Sequence, residues 1–509
     1  MSKVFLCNDK DTVVSLSKGK LLGYYYDDVY AFKGIEYARA ERFLMPEETQ
    51  PWSGIKDALN DGYVCPLMWK DTFEGDIMSP HRFWLQGENC QNLNLWTPSL
   101  DPDAKLPVLV WLHGGGFFSG SAVEQLAYDG QSLSKKGQAV IIAVNHRLNV
   151  LGYLDLRGFG EKFDRSVNAG NIDLIAALRW IQENIRNFGG DPDNVTIFGQ
   201  SGGGGKVITL MQMPGAYGLF HKAIVMSGTL GEVMTDPQMD MRPTIRRMLE
   251  ILSVKESEID KLSHIKYNSI AFAYLKAYDE TVHKPGLPYF GPVMNEDYIG
   301  DPMKVGFSAF AKKVPVLIGS VIAEFPRAKI DRKATDDCLA QKLICEKLGE
   351  NEGKALTRAF RKAYPDRPLS DVFYVDSGAF RYWIKQWIKK RTEQKACATY
   401  SYLFAPEFSV FGGTLAWHCS DIPFFFNNID KVPVCHIHGV SDRLQAQMSD
   451  AFISFARTGV PESPLLPKWP ACTYNDETTM IFDENCRVGH NFDDELIQLH
   501  FTQKVFERF

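Results

Sequence analysis

The sequence predicts an α/β fold in which helices flank one large, mostly parallel central sheet and further helices are inserted beside it. Segments 106–112 and 138–146 are continuous apolar runs, typical of strands that are buried on both faces. Segment 169–190 repeats apolar residues at helical spacing and ends in two glycines. Strand-like and helix-like segments alternate along the first half of the chain, and this pattern favours a parallel sheet covered by helices.

Further elements follow along the chain. Short apolar runs predict strands at 194–198, 221–228 and 314–320, and 206–213 reads as the helix that follows the first of them. Segment 441–459 predicts a helix that begins at a serine, which is a good N-cap, and stops at a glycine.

Two stretches, at about 238–290 and 334–395, are more helical and more charged, and we expect them to be insertions beside the sheet. At 509 residues the length alone suggests about three domains. Large α/β folds often exceed that rule, and we expect residues 1–509 to form a single domain.

Composition narrows the function classes. The net charge is −6 with acidic and basic residues mixed, so no basic block indicates a nucleic-acid partner. The apolar stretch at the N-terminus is too short for a signal peptide, and no segment reaches the roughly 18 apolar residues of a membrane span. We therefore expect a soluble, cytoplasmic protein, unless a signal has been removed. Its oligomeric state cannot be read from the sequence.

The ten cysteines are scattered and form no CxxC pair for zinc or redox chemistry. His436 and His438 are close enough in sequence to suggest a metal pair, but no third ligand is apparent. We expect no metal and no cofactor.

The stretch "VTIFGQSGGGGKV" places Ser201 between a predicted strand and four glycines. A phosphate-binding loop would need glycine where Gln200 stands, and serine or threonine where Val207 stands. The sequence from Gly199 to Gly203 instead fits G-x-S-x-G, a sharp strand-to-helix turn that exposes a nucleophilic serine. The helix that follows directs its N-terminal N–H groups at the reacting centre.

A second glycine motif, "WLHGGGFFSG" at 111–120, follows the predicted strand 106–112. It matches the HGGG pattern, whose backbone N–H groups form part of an oxyanion hole. Its occurrence upstream of the serine motif, in the order such hydrolases use, favours a serine hydrolase over two unrelated glycine-rich turns.

The chain resembles the type-B carboxylesterase/cholinesterase family of α/β-hydrolases from about residue 32 to residue 461. The resemblance rests on "FKGIEYARAERF", "GENCQNLNLWTP", "GNIDLIAALRWIQENIRNFGGDPDNVTIFGQSGGG", "PVLIGSVIAEF", "GGTLAWHCSDIPFFF" and "SFARTGVP". It implies an α/β-hydrolase fold and a cofactor-free esterase that acts on small-molecule esters.

The resemblance also implies the site residues. Ser201 would be the nucleophile, Glu324 the triad acid and His418 the base, in the order Ser–Glu–His that this fold uses. The other histidines downstream of the acid are His436, His438, His490 and His500. The N–H groups of three glycines, Gly115, Gly116 and Gly202, would form the oxyanion hole.

This sequence departs from the family at three positions beside those residues. The family usually has glutamate before the serine, where this chain has Gln200, and alanine after it, where this chain has Gly202. It usually has glycine after the triad acid, where this chain has Phe325. Because Gln200 removes a negative charge that could hold a quaternary ammonium group, we expect small or medium apolar esters rather than choline esters.

Residues beside the motifs are candidates for the substrate pocket, and the apolar ones could equally belong to the core. The candidate pocket residues are Phe117, Phe118, Gln200, Leu230 and Phe424. Cys65 and Cys90 fall where the family often has a disulfide that closes a loop, so 65–90 is a candidate lid containing Trp69, Phe73, Phe83 and Trp84. Reducing conditions in a cytoplasm argue against a formed bond.

The sequence therefore predicts a carboxylic-ester hydrolase that works through an acyl-enzyme. The same triad could serve an amidase or carbamate hydrolase, or a lipase that prefers long acyl chains. A non-catalytic binding member of the family is a further alternative, although such members typically lose the serine or the histidine.

Overall fold

The structure is a computed structural model that describes residues 3–68, 78–229, 240–282, 288–326 and 328–509. The strands are β1 (Phe5–Leu6), β2 (Val13–Leu16), β3 (Gly19–Leu22), β4 (Tyr24–Tyr26), β5 (Val29–Glu36), β6 (Ala38–Arg39), β7 (Glu47–Glu48), β8 (Ile55–Asp57), β9 (Asn92–Thr97), β10 (Leu106–Leu112), β11 (Val140–Val144), β12 (Gly190–Gln200), β13 (Lys222–Met226), β14 (Val316–Val321), β15 (Thr399–Phe404), β16 (Glu407–Phe408), β17 (Thr414–Leu415), β18 (Thr478–Phe482) and β19 (Arg487–His490).

The helices complete the description of the chain. They are α1 (Gln131–Gly137), α2 (Asn149–Tyr153), α3 (Ala169–Asn184), α4 (Gly202–Met211), α5 (Arg242–Ile251), α6 (Tyr267–Val282), α7 (Pro302–Val305), α8 (Asp337–Leu348), α9 (Glu350–Ala363), α10 (Phe380–Glu393), α11 (Ile422–Phe425), α12 (Ser441–Thr458), α13 (Asp494–Thr502) and α14 (Val505–Arg508). Across the described ranges, none of these helices is long and apolar enough to cross a membrane.

A central sheet organises the molecule. Among the described residues it contains twelve strands in the order β1-β4-β5-β9-β11-β10-β12-β13-β14-β15-β18-β19. From β11 to β18 in this order the neighbouring strands are parallel. The pairs at both edges are antiparallel. The predicted large central sheet with flanking helices is confirmed, with its parallel part in the middle.

Short connections explain the antiparallel edge. Asp27 and Asp28 form the two-residue link between β4 and β5, and both have positive φ, 51° and 67°. This conformation is that of a tight hairpin turn, and Asp tolerates it better than most residues. A two-residue link can only join antiparallel neighbours, whereas the parallel strands need longer crossovers.

Strand β10 shows why the apolar runs are continuous. Its Leu109 and Trp111 belong to the hydrophobic cluster on one face of the sheet, and its Val108 and Val110 to the cluster on the other face. Successive side chains of a strand point to opposite faces, so a strand with helices on both sides must be apolar at every position.

The predicted helices at 169–190 and 441–459 are confirmed as α3 and α12. Helix α3 buries Ile175, Leu178 and Ile181 against one face, and Gly189 ends the following short turn at φ 74°. Helix α12 covers the other face and stops at Gly459 with φ 83°, the left-handed conformation that favours glycine.

The inserted stretches contain α5 and α6 in the first and α8, α9 and α10 in the second. Helices α5 and α6 belong to a third hydrophobic cluster, which they form together with α2.

The parallel strands bring the functional motifs together. The glycine loop follows β10, Ser201 follows β12, and Glu324 follows β14. The carboxyl ends of parallel neighbouring strands lie at the same edge of a sheet, which is where ligands bind in open α/β folds. His418 lies at the same edge as Glu324. Ala323 pairs with Trp417, and the His418 N–H donates to the Glu324 carbonyl at 3.0 Å.

Candidate active site

Ser201 occupies a strained turn between β12 and α4. Its φ is 56° and its ψ is −127°, in the region that L-residues rarely adopt. The backbone on either side is held in place, because the Ser201 N–H donates to the Met226 carbonyl at 2.8 Å and the Gly205 N–H donates to the Ser201 carbonyl at 3.0 Å. Strain of this kind persists only where surrounding structure fixes it, and it is common at functional sites.

Glycines around this turn let backbones approach each other. A β-carbon on Gly203 would lie 1.9 Å from the carbonyl oxygen of Leu112, at the end of β10. A β-carbon on Gly204 would lie 2.7 Å from the α-carbon of Gly228, after β13. Helix α4 therefore packs directly onto the strand ends, which a larger residue at either position would prevent.

Three glycines that line the same cavity as Ser201 have backbone N–H groups with no partner in the described part of the chain. Gly115 and Gly116 have φ of 79° and 61°, which suits glycine and turns the loop after β10 towards Ser201. Among the described residues, the N–H groups of Gly115, Gly116 and Gly202 donate no hydrogen bond. Unpaired N–H groups at a cavity wall are available to bind a negatively charged oxygen.

The loop and the helix start touch. A β-carbon on Gly202 would lie 2.3 Å from the α-carbon of Gly116 and 2.4 Å from its nitrogen. Alanine, which stands at this position in the resembled family, does not fit here without a shift of one backbone. The sequence departure at Gly202 thus has a steric reason.

Glu324 and His418 form a hydrogen-bonded pair. Oε2 of Glu324 lies 2.5 Å from Nδ1 of His418, and its Oε1 accepts from the Val321 N–H at 3.2 Å. The Glu324 side chain is 1% exposed and that of His418 is 11% exposed. A buried carboxylate on Nδ1 favours the tautomer in which Nε2 carries no proton and can therefore accept one.

Two further carboxyl groups lie near this pair. Burial and, to a lesser extent, the nearby charge of Glu324 raise the pKa of Asp421 to about 7. Burial also raises the pKa of Asp376 to about 8, while N–H groups of Arg381 and Tyr382 oppose the shift. Both groups bind a proton more readily than an exposed carboxyl, which limits the negative charge around Glu324.

Gln200 contacts the imidazole. Its amide nitrogen lies 3.2 Å from Nε2 and 3.4 Å from Nδ1 of His418, and its Oε1 accepts from the Cys419 thiol at 3.2 Å. Among the described residues, the Ser201 hydroxyl forms no hydrogen bond with the His418 ring. Such bonds are often long or misaligned until substrate binds.

These groups line one cavity of about 840 Å³. The predicted site residues that line it are Gly115, Gly116, Phe118, Gln200, Ser201, Gly202, Glu324 and His418. The volume lies within the range of small-molecule sites.

Two predicted pocket residues lie elsewhere. Phe117 is fully buried and packs edge-to-face against Tyr153, with ring centroids 5.3 Å apart. Phe424 is fully buried against Phe404, at 5.0 Å. Both are core residues, because their side chains point away from the cavity edge into hydrophobic clusters. Leu230 lies outside the described residues.

The candidate lid is described in part. Trp69 and Phe73 lie outside the described residues. Met78, Ser79 and His81 line the cavity, and the Trp417 indole N–H donates to the Met78 carbonyl at 3.1 Å. Phe83 and Trp84 do not line it and are 48% and 37% exposed. Cys65 and Cys90 are buried free thiols.

The cavity residues that were not among the predicted pocket residues include Phe325, Phe380, Trp417 and Cys419. Three of them adjoin Glu324 or His418 in sequence, and this adjacency is a signal that could have found them. Phe380 opens α10 and carries no such signal, because only the tertiary structure brings it to His418.

Lys206 is buried beneath the glycine loop. Its side chain is fully buried and its Nζ donates to the His113 carbonyl at 2.9 Å, directly before the three glycines. Burial lowers its pKa to about 7, although the charge of Glu124 opposes the shift. In the sequence this lysine lies at the start of the predicted helix 206–213, and no motif gives it a role.

The chain is similar to known proteins over most of its length. The model of a family described as "Carboxylesterase family" matches residues 10–500. Para-nitrobenzyl esterase of Bacillus subtilis strain 168 is 31% identical over 513 residues, which cover 97% of this chain and 99% of that protein.

Solved structures match over nearly the full length. One is described as an esterase from anaerobic Clostridium hathewayi that can hydrolyze aliphatic aromatic polyesters. It has a TM-score of 0.94 at 44% identity and covers 99% of this chain and 100% of its own. A structure described as PNB esterase has a TM-score of 0.75 at 28% identity, covering 96% of this chain and 99% of its own.

Proposed function

Because the chain belongs to the carboxylesterase family, we propose that Ser201, His418 and Glu324 are its catalytic triad. The protein is a serine hydrolase of carboxylic esters with the α/β-hydrolase fold. The observation that carries the proposal is the meeting of Ser201, the His418–Glu324 pair and three unpaired N–H groups in one cavity.

Acylation begins when Oγ of Ser201 attacks the ester carbonyl. Nε2 of His418 takes the serine proton, and the carboxylate of Glu324 stabilises the imidazolium that forms. The negative charge that develops on the carbonyl oxygen is bound by the N–H groups of Gly115, Gly116 and Gly202. His418 then gives the proton to the leaving alkoxide, which departs as the alcohol.

Deacylation repeats the same steps with water. Nε2 of His418 takes a proton from a water molecule, and the hydroxide attacks the acyl carbon bound to Ser201. The three N–H groups bind the second oxyanion, and His418 returns the proton to Oγ as the acid leaves.

The proposed substrates are small to medium apolar esters. A cavity of about 840 Å³ with mostly apolar lining accommodates an ester of that size. The likeness to the Clostridium hathewayi esterase, described as acting on aliphatic aromatic polyesters, adds ester units of such polymers as candidates. Amides, carbamates and long-chain lipids are the alternatives on the same triad.

Two experiments test the proposal. A fluorophosphonate probe should label the wild-type protein and fail to label a Ser201→Ala variant of unchanged circular dichroism. A series of p-nitrophenyl esters from acetate to palmitate should give its highest kcat/KM at short or medium acyl chains. If Ser201→Ala still hydrolyses these esters, the assignment of Ser201 as the nucleophile is refuted. A highest kcat/KM at palmitate would favour a lipase.

A further inference from the structure

Lys206 joins the two elements that carry the proposed oxyanion donors. It lies on α4, whose first residue, Gly202, supplies one of the three N–H groups. Its Nζ donates to the His113 carbonyl at 2.9 Å. That carbonyl lies at the start of the loop that carries the other two N–H groups, those of Gly115 and Gly116. One side chain therefore connects the helix to the loop.

The same Nζ also lies near the other end of the glycines. It is 5.7 Å from the ring centroid of Phe117, which directly follows them, and at this distance a cation is attracted to an aromatic face. Phe117 is itself fully buried and packs against Tyr153. Because Lys206 is fully buried and does not line the cavity, it reaches the loop from the side of the core.

A loop of three glycines needs an external restraint. Gly115 and Gly116 adopt positive φ at little steric cost, but glycine is also the residue with the most freedom to leave that conformation. The peptide group is planar, so the bond that holds the His113 carbonyl also orients the N–H on the other side of that peptide, at Gly114. The chain thus enters the proposed oxyanion hole in a fixed direction.

The surroundings of Lys206 are unfavourable for a residue that only fills space. Within the described ranges its Nζ donates one hydrogen bond, and the acceptor is a neutral carbonyl. Burial lowers its pKa to about 7, and the charges of Glu124 and Cys65 oppose the shift. A buried amine bound to a carbonyl rather than to a carboxylate costs stability, and such costs are common at functional sites. The ammonium and the neutral amine both carry N–H groups, so the bond to His113 does not require the charge.

We propose that Lys206 is a positioning residue of the oxyanion hole. By holding the His113 carbonyl, it fixes the loop so that the N–H groups of Gly115 and Gly116 converge with that of Gly202 on one oxygen. This role rests on the proposed function, because it requires the three N–H groups to bind the oxyanion. Lys206 acts through the loop and makes no contact with the substrate.

The variant Lys206→Met tests this role, because methionine is unbranched, close to lysine in length and without an N–H donor. Replacing a buried charge by an apolar side chain is often neutral or stabilising, so the variant should fold, as circular dichroism would show. A misplacement of about 1 Å can cost 10²-fold in rate, so kcat for p-nitrophenyl butyrate should fall about 10- to 10²-fold, with less than about a threefold change in KM.

A matched pair of ketones separates a defect in the oxyanion hole from general damage to the site. Oγ of Ser201 adds to the carbonyl carbon of 1,1,1-trifluorooctan-2-one, the serine proton passes to His418, and the carbonyl oxygen becomes an oxyanion. Octan-2-one binds with its carbonyl intact. In Lys206→Met the trifluoro ketone should lose affinity by about the same factor as kcat/KM, as a transition-state analogue does, while the affinity for octan-2-one should not change.

Thr209→Val is the control for the loss of a buried hydrogen bond on the same helix. The Thr209 hydroxyl donates to the Gly205 carbonyl at 2.8 Å, within α4, and the residue does not line the cavity. Because this bond does not reach the glycine loop, Thr209→Val should leave kcat and both inhibition constants unchanged.

Two results would overturn the positioning role: an unchanged affinity of Lys206→Met for the trifluoro ketone, or an equal loss of affinity for both ketones. If Lys206→Met does not fold, Lys206→Leu is measured in the same way, with the same expected losses. The proposed triad fails by different results. It is refuted if the fluorophosphonate probe does not label wild type, or if Ser201→Ala binds the trifluoro ketone as tightly as wild type does.

Discussion

Gly116 and Gly202 are in such close contact that a β-carbon on Gly202 would lie 2.3 Å from the α-carbon of Gly116. The loop after β10 and the first turn of α4 supply the three unpaired N–H groups, so this contact sets how those groups converge. The pair therefore links a local sequence choice, glycine after the serine, to the geometry of the proposed oxyanion hole.

The variant Gly202→Ala tests this link. The added methyl group must displace the loop that carries Gly116, and we expect kcat for p-nitrophenyl butyrate to fall about 10²- to 10³-fold, as for loss of one oxyanion donor. Steady-state kinetics measures the change. Gly215→Ala is the control, since its nearest neighbour is a flexible side-chain atom at 3.3 Å. Full activity in Gly202→Ala would mean that this contact does not shape the site.

The variant Glu324→Gln tests the assignment of the triad acid. The amide keeps the size of the side chain but cannot stabilise the imidazolium, so we expect kcat to fall by about 10²- to 10⁴-fold with a small change in KM. The neighbouring buried carboxyl provides the comparison. Asp421→Asn should lower kcat much less than Glu324→Gln does, because no hydrogen bond joins Asp421 to His418 in the described contacts. Equal losses in the two variants would contradict the assignment.

The variant Gln200→Glu tests how charge at this position affects substrate choice. A carboxylate near His418 attracts a cationic alcohol by about 1–2 kcal/mol at the effective dielectric of a protein site, or about tenfold. The ratio of kcat/KM for butyrylthiocholine to that for its neutral isostere, S-(3,3-dimethylbutyl) thiobutyrate, should rise by that factor.

Gln498→Glu supplies the control for the same charge change, because Gln498 is exposed and lies outside the cavity. An unchanged ratio in Gln200→Glu would show that this position does not set the preference for neutral esters.

The variant Lys206→Met tests the buried lysine. The pKa of Lys206 is lowered to about 7 in the folded protein and is near 10.5 when unfolded. Between these values the unfolded state binds more protons, so wild-type stability rises with pH from about 7 to about 10, and it is lowest below pH 7. Lys206→Met lacks this dependence.

We expect the free energy of unfolding of wild type, relative to Lys206→Met, to rise by roughly 1 kcal/mol per pH unit between pH 8 and pH 10. Glu124, whose pKa is raised to about 7, is ionised across most of this window and contributes little slope. Urea unfolding followed by circular dichroism measures the change, with exposed Lys468→Met as the control. If the free energies of unfolding of wild type and Lys206→Met change with pH in the same way, the lowered pKa of Lys206 is contradicted.

Two neighbouring aromatic residues show that the sequence does not distinguish a pocket residue from a core residue. Phe117 and Phe118 are adjacent and chemically identical, but Phe118 lines the cavity while Phe117 packs against Tyr153. The loop after β10 has no regular period, so nothing in the sequence assigns a face to either residue. Phe424 is a similar case, because it lies in α11, whose residues are all buried, and packs against Phe404 instead of lining the cavity.

Some features followed from the sequence alone. Continuous apolar runs and helical periods predicted the sheet and its helices, because burial on both faces or on one face leaves a pattern in the chain. Gly-x-Ser-x-Gly and His-Gly-Gly-Gly located the turns, because only glycine permits such close backbone approach. Resemblance to a family then selected Glu324 and His418 as the partners of Ser201.

The tertiary structure alone decided what meets at the site. The pairing of Ala323 with Trp417 brings the Glu324–His418 pair to the edge where Ser201 stands, and the turn at Gly378 brings Phe380 to Phe325. These contacts join residues that are distant along the chain, so no local pattern encodes them. The burial that lowers the pKa of Lys206 is likewise a property of its neighbours in space, not of its place in the sequence.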